Sequence, residues 1–417
     1  MPGVTEMRPR ALGTRASRRA NPLAEWLLAE GRNVAETPEL LGELYRRAVA
    51  GGLPLWRVQL TMLTLHPQLV GTRYTWRRDA GKVEASPIAH GTQNTKEYRS
   101  SPYAGIYEGA GGIRRRLDVP GAKLDFPILK QIRAEGATDY VAMPFTFSDG
   151  QINVVTIACD RPGGFATDEL KQMSEILPVL ACVLETHALR RTAATLLETY
   201  LGKHTGERVL QGLIKRGDGE DISAVIWFSD LRDSTVMADT ISRQAFLGIL
   251  NSFFDCVAGA VLDHGGEVLR FVGDAVLAIF PTGESLAANT DRPRKCCSTE
   301  DACHAALAAA IDAEVRIHAL NGARAGRGEA ALRFGLALHE GDVTYGNVGV
   351  PERLEFTVIG AAANEAARLQ DLCKTLDRSL LISARFKRCF PGKLISQGFH
   401  ALRGVGAPQE VFALPAD

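Results

Sequence analysis

The sequence predicts an α+β chain of two domains, the second a ferredoxin-like palm. Two observations carry this. With 417 residues, the chain is longer than one hydrophobic core ordinarily serves. Its second half runs strand, helix, two strands, helix, two strands, helix and a closing hairpin. That order describes a mostly antiparallel sheet with helices on one side.

Residues 1–21 are rich in Arg and Pro and lack the apolar region of a signal peptide, which predicts a disordered arm. Within 22–167, LAEWLLAEG and PELLGELYRRAVAGG carry apolar residues at helical spacing and end in glycine, predicting two C-capped helices. WRVQLTMLTL (56–65), GTRYTWRR (71–78), DYVAMPFTF (139–147) and INVVTIACD (152–160) are β-branched or aromatic runs between turn residues, and predict strands. A hairpin at Ser148-Asp149-Gly150 joins the last two.

From Asp168, the positions Leu170, Met173, Leu177, Leu180 and Leu184 alternate steps of three and four, as in a coiled-coil seam. Pro178 lies inside it, so a kink or restart is expected there. A displaced stripe, Ala193, Leu196 and Tyr200, precedes Gly202. Residues 168–220 thus read as a signalling helix and linker that either packs on its own sheet or pairs with a second protomer. GDGED (217–221) closes the linker with a turn.

In the domain 221–417, AVIWFSD (224–230) is a continuous apolar run ending in acid, a buried strand that delivers Asp230 at its end. RQAFLGILNSFFDCVAGAVLDHGG (243–266) has helical periodicity and a glycine stop. EVLRFVGDAVLAIF (267–280) reads as a hairpin turning at Gly273-Asp274, residues 302–320 as an Ala-rich helix, and 332–349 as strand, turn and strand. LEFTVIG then precedes the helix AAANEAARLQDLC, and PQEVFAL sits in a C-terminal hairpin.

Lys plus Arg and Asp plus Glu both total 48, so no net charge draws the chain to nucleic acid or an anionic membrane. ILPVLACVL (176–184) is stopped by Glu185, far short of the ~20 residues of a membrane span, which predicts a soluble protein. Eight cysteines without a secretory signal fit a reducing, cytoplasmic setting. Cys296, Cys297, Cys303 and His304 cluster in DRPRKCCSTEDACH, whose spacing matches no common zinc pattern, and read as a loop entering a helix. His66, just before a proline, reads as structural rather than as a haem or metal ligand.

Asp230 at a strand end and Asp274 in a hairpin turn converge if their strands are adjacent. Two such carboxylates suit hard divalent cations that also hold polyphosphate. Alone, each has a plainer reading, a Gly-Asp turn or a helix N-cap. Asp233, Ser234 and Thr235 read as the turn and helix start that present amides toward phosphate.

Together, FSDLRDST, RFVGDAVLAIF and LEFTVIGAAANEAARLQ resemble, in order, the catalytic domain of class III adenylyl/guanylyl cyclases. The first part resembles a GAF-type sensory domain in its layout of helix, antiparallel sheet and long exit helix. The resemblance implies that Asp230 and Asp274, with the backbone carbonyl of Leu231, hold two Mg²⁺ or Mn²⁺ ions. It also implies that Asn364 orients the ribose and Arg368 stabilises charge on the phosphoryl group. These two lie four apart, hence on one helix face, and an Arg fork suits that task.

Thr357 stands where the family uses Asp or Thr for adenine and usually Cys for guanine. Arg270 stands where adenylyl cyclases usually carry Lys and guanylyl cyclases Glu. Adenine N1 accepts a hydrogen bond, so a donor such as Arg270 favours ATP. Arg403, in HALRGVG, resembles a basic residue that contacts the terminal phosphates. Ala361 departs from the family, which often has Asp after this glycine. The implied activity is an adenylate cyclase, working as a head-to-tail homodimer with shared sites and regulated by a small molecule or protein acting on the first domain. Guanylate cyclase activity and a non-catalytic nucleotide-sensing module are the alternatives.

Overall fold

The structure, a computed structural model, describes residues 21–282 and 298–415. The expected N-terminal arm therefore lies almost wholly outside the described residues, as do Cys296 and Cys297. The chain divides into two units, Met1–Leu196 and Leu197–Asp417.

In the first unit, α1 (Pro22–Ala29) starts at Asn21, whose side chain accepts the Leu23 amide, with Pro22 in the first turn. After α2 (Thr37–Ala50) come β1 (Arg57–Leu63), β2 (Leu69–Arg77), β3 (Val83–Ala89), α3 (Lys96–Arg99), α4 (Pro102–Tyr107), β4 (Ile113–Arg116) and α5 (Pro127–Ala134). The hairpin of β5 (Asp139–Thr146) and β6 (Ile152–Cys159) follows, then α6 (Thr167–Leu201). The six strands form one antiparallel sheet in the order β3-β2-β1-β6-β5-β4. Residues of α1, α2 and α6 share a core with Val58, Leu60, Tyr74 and Trp76 on one face, while Ile106, Leu129 and Ile132 pack on the other.

The two edge strands carry no apolar run that the sequence could have signalled. β3 reads VEASPIA and is mostly exposed; Pro87 is tolerated because an edge strand has amides without partners. The restart expected at Pro178 does not occur. α6 is a single helix of 35 residues, in which buried Ile176, Leu177, Leu180 and Ala181 outweigh the ~3 kcal/mol that an internal proline costs.

In the second unit, Gly202 (φ 88°) separates α6 from a further helix, α7 (Lys203–Leu210). Then come β7 (Gly219–Leu231), α8 (Ser234–Thr240), α9 (Arg243–Asp263), the hairpin β8 (Glu267–Val272) and β9 (Ala275–Pro281), and α10 (Thr299–Ala325). They are followed by β10 (Phe334–Val350), β11 (Arg353–Ile359), α11 (Ala361–Thr375), β12 (Leu380–Ser383), α12 (Ala384–Cys389), β13 (Ile395–His400) and β14 (Gln409–Ala413). The sheet order is β13-β14-β12-β10-β7-β9-β8, with β11 paired to the far half of β10. All pairings are antiparallel except β10 with β12.

Helices cover both faces of this sheet, not one as expected. Val225 and Trp227 of β7 pack with Phe253, Val257 and the Ala-rich side of α10, whereas Ala224 and Ile226 pack on the side of Ala362 and Ala366 of α11. The continuous apolar run of β7 is the cause, since a strand with both sides apolar must bury both. Likewise, 332–349 is not strand, turn and strand: β10 runs unbroken for 17 residues. The Glu340-Gly341-Asp342 triplet is sheet, and Gly341 is there because a Cβ would come within 2.7 Å of the Ala362 Cβ.

α9 is long and apolar enough to cross a membrane by length and composition alone. Phe253, Val257, Ala260 and Val261 are nevertheless buried in the core beside α10. α10 opens on a capping box between Ser298 and Asp301. Cys303 faces inward, and burial pushes its thiol up to about 12, while His304 lies against the Phe390 ring. His66 accepts the Gln68 amide through Nδ1, a local turn contact.

Candidate active site

Asp230 is the penultimate residue of β7 and lies opposite Ala275, the first residue of β9. Asp274 immediately precedes that residue in the β8–β9 turn, where Gly273 takes φ 65°. The antiparallel pairing of β7 with β9 therefore brings together two carboxyls far apart in sequence. Burial, and then the adjoining Asp274 carboxyl, raise the Asp230 pKa to about 7, against the pull of the Leu231 amide. Asp230 Oδ1 is buried without a hydrogen-bond partner.

A half-buried Asp230 carboxyl beside a second carboxyl fits a divalent cation, which supplies the missing positive charge and a partner for the orphaned oxygen. Among the described residues, no group of three or more His, Cys, Asp or Glu side chains could hold a metal. The donor set is thus two carboxylates, with the Leu231 backbone beside them. That paucity suits Mg²⁺, which keeps waters and takes further oxygens from substrate phosphate.

The rest of FSDLRDST supports the turn. Arg232 donates to Asp377 at 3.0 Å and to the carbonyls of Cys373 and Arg378 at 2.8 and 2.6 Å, tying the loop to the end of α11. Asp233 adopts φ 60° before Ser234 opens α8, but its side chain makes no cap bond. Its carboxylate instead pairs with Arg333 at 2.8 Å.

On α11, Ala362, Ala366 and Leu369 point inward, which leaves Asn364 and Arg368 exposed on the outer side. Asn364 makes no side-chain hydrogen bond among the described residues, and Arg368 meets only Asp371, at 3.3 Å. Arg403 sits in an exposed turn, and no described contact joins it to the other site residues.

Arg270 reaches the strand that carries Thr357 but meets Glu355 there, and Thr357 does not line the groove beside them. Phe356 and Val358 of β11 face the core, so Glu355 and Thr357 share the opposite side. Arg270 of β8 reaches across to Glu355, Nη1 to Oε1, at 2.7 Å. Thr357 is 5% exposed and its hydroxyl has no partner. Arg270 and Glu355 line a groove of about 800 Å³, large enough for a base and sugar, which neither Asp230 nor Asp274 lines.

Sequence reasoning missed two acids. Glu355 lay inside LEFTVIG, legible only as a strand, and a charge there gains meaning once β8 lies beside β11. Asp371, which adds to the negative field at Asp230 and pairs with Arg368, looked like any helix-surface acid.

No family model matches the chain. It is 33% identical over 186 residues to an uncharacterized protein of Mycobacterium tuberculosis, covering 44% of this chain and 31% of that one. It is 31% identical over 158 residues to adenylate cyclase 1 of Rhizobium meliloti, covering 37% and 22% respectively. The chain thus spans less than a third of the length of these curated relatives. Among solved structures, the adenylyl cyclase CyaB of P. aeruginosa is similar at 22% identity and a TM-score of 0.41, over 48% of this chain and 96% of that one. The guanylyl cyclase Cya2 is similar at 23% identity and a TM-score of 0.39, over 46% and 92%.

Proposed function

We propose that the chain is a nucleotidyl cyclase that converts ATP to 3′,5′-cyclic AMP and pyrophosphate. The convergence of Asp230 and Asp274, with an unpartnered buried oxygen between strand ends, is the observation that carries this reading. Likeness to adenylate cyclase 1 of Rhizobium meliloti supports it. Two divalent ions bound there would polarise the phosphates and acidify the ribose 3′-hydroxyl. Asp230, Asp274 and the Leu231 carbonyl hold that charge in place; Arg368 offers its fork to the phosphoryl oxygens, and Asn364 fixes the ribose. The 3′-oxygen gives up its proton to solvent and bonds to the α-phosphorus as the bond from that phosphorus to the bridging oxygen breaks, and pyrophosphate leaves. Arg403 contacts the terminal phosphates.

The site is shared between two protomers. Within one chain, Asn364 and Arg368 are exposed and nearly unengaged, and the base groove is apart from the acidic pair. Phe271 and Val272, 52% and 45% exposed at the β8 tip, supply apolar surface for a second copy. A first unit with a GAF-like layout regulates this assembly through α6, and deletion of residues 1–190 with no change in activity or regulation would remove that part of the proposal. A cytoplasmic setting is supported by the free state of all six described cysteines.

One observation favours a second reading, GTP as substrate. Glu355 places an acceptor on the side of β11 that carries Thr357, and a guanine N1/N2 edge wants an acceptor. Purified protein incubated with Mn²⁺ and either ATP or GTP, with the product identified by chromatography, decides. Cyclic AMP is expected; cyclic GMP alone selects the second reading, and neither product defeats both.

A further inference from the structure

The first unit holds a polar pocket independent of the chemistry at Asp230 and Asp274. β1 and β2 alternate strictly, and Val58, Leu60, Met62, Tyr74 and Trp76 enter the core under α1, α2 and α6. The opposite side carries Gln59, Thr61 and Arg73, with Thr61 directly across from Arg73 in the register. That polar side is not simply solvated. Tyr98, Tyr103 and Tyr107 of the α3–α4 segment cover it, enclosing a cavity of about 150 Å³.

Three features of this cavity point to a ligand. Thr61 is 5% exposed and its hydroxyl lies beside that of Tyr103, while the Tyr107 hydroxyl and Arg73 Nε are buried and unpartnered. Left so, each is a desolvated polar atom that a ligand can satisfy. Arg73 is the one charged group lining the cavity, and it has no ion pair among the described residues. Elsewhere in the unit, Arg77, Arg114, Arg115, Arg116 and Arg161 each hold a carboxylate within 2.8 Å. Finally, Tyr98 and Tyr107 stack at 6.5 Å between centroids, and the remaining wall mixes Leu63, Val70 and Ile88 with the uncharged polar Thr92 and Gln93, so the cavity pairs aromatic and apolar surface with a single charge.

We propose that this cavity binds a single-ring aromatic monocarboxylate, its carboxylate on the Arg73 guanidinium and its ring among Tyr98, Tyr103 and Tyr107. Size sets the class, since ~150 Å³ accommodates about one benzene ring. A nucleotide needs a pocket at the scale of ~300–1,000 Å³. The guanidinium fork matches a planar carboxylate through two parallel hydrogen bonds. The hydroxyls of Thr61 and Tyr107 are donors for a ring substituent or the second carboxylate oxygen.

Isothermal titration calorimetry of the full chain with benzoate, benzamide and acetate tests this without any variant. The expected result is saturable benzoate binding with a Kd below about 1 mM, and at least about tenfold weaker binding of both benzamide, which lacks the charge, and acetate, which lacks the ring. Absence of saturable benzoate binding, or binding of either probe within tenfold of benzoate, overturns the proposal. Arg73→Gln, checked for folding by circular dichroism, should weaken benzoate at least about tenfold, and unchanged affinity in a folded variant also overturns it. Thr61→Leu, which fills the cavity, should abolish binding.

Discussion

Tyr345 of β10 donates its hydroxyl hydrogen to Glu267 Oε1 of β8 at 2.9 Å, although β7 and β9 lie between those strands in the sheet. The same oxygen accepts the Thr205 hydroxyl at 3.2 Å and the Thr205 amide at 3.3 Å. Glu267 is 5% exposed, and burial pushes the Tyr345 hydroxyl far above its ordinary pKa, so it remains a donor. Tyr345→Phe removes one donor from a buried carboxylate and should destabilise the second unit by about 1–3 kcal/mol. A urea midpoint equal to that of the wild type would refute a stabilising role for this buried bond.

Metal dependence should separate from stability. Asp274→Asn removes the like charge beside Asp230, so in metal-free buffer at pH 7 the variant should be as stable as the wild type or more so. Cyclase turnover should nonetheless fall by more than about a hundredfold, and the thermal shift on adding Mn²⁺ should vanish. A variant that keeps its Mn²⁺ shift would place the cation elsewhere.

Sharing of the site predicts rescue in a mixture. Asp274→Ala and Arg368→Ala chains should each be inactive alone. Mixed equally, they should recover roughly one quarter of wild-type activity, since half of the dimers are mixed and each has one intact site. No recovery after co-refolding would argue for sites complete within one chain.

Base preference should respond to Glu355. Arg270 arrives at β11 with its charge already paired, so Glu355→Gln frees it to donate to adenine and should raise the ATP-to-GTP ratio of kcat/KM by about tenfold. Arg270→Glu with Thr357→Cys should move preference the other way. Competition assays with both nucleotides read the ratio, and no change in either variant would mean these side chains do not read the base.

His339 predicts a pH dependence of stability. Burial, helped by Arg385, lowers its pKa to about 4; Glu365, 3.7 Å from Nε2, is too far for a hydrogen bond and does not reverse this. Below the ordinary value near 6.5, the unfolded chain binds a proton that the folded chain refuses. Stability therefore falls as pH drops from about 6.5 toward 4, by about 2 kcal/mol between pH 7 and pH 5 from this group alone. His339→Gln should flatten that part of the urea-midpoint profile.

Much of the second unit was legible because its local signals agree. The apolar run ending at Asp230, the Gly273-Asp274 turn and the Ala-rich helices each specify an element without reference to distant residues. Where local and tertiary forces compete, the reading failed. Pro178 remains helical because the core holds the residues around it, and Glu340-Gly341-Asp342 is strand because β7 pairs along its whole length and α11 needs a residue without a Cβ.

The sequence by itself determined, through its resemblance to class III cyclases, which residues could serve as metal ligands, phosphate ligands and base readers, because the motifs that carry that resemblance are short and local. Only the tertiary structure decided that Asp230 and Asp274 touch, that Arg270 is engaged by Glu355, that Arg232 is a loop anchor, and that the polar side of β1 and β2 encloses a cavity. These depend on which strands become neighbours and what covers each side of a sheet. Such long-range pairing is settled by burial summed over the whole unit, which no short stretch of sequence encodes.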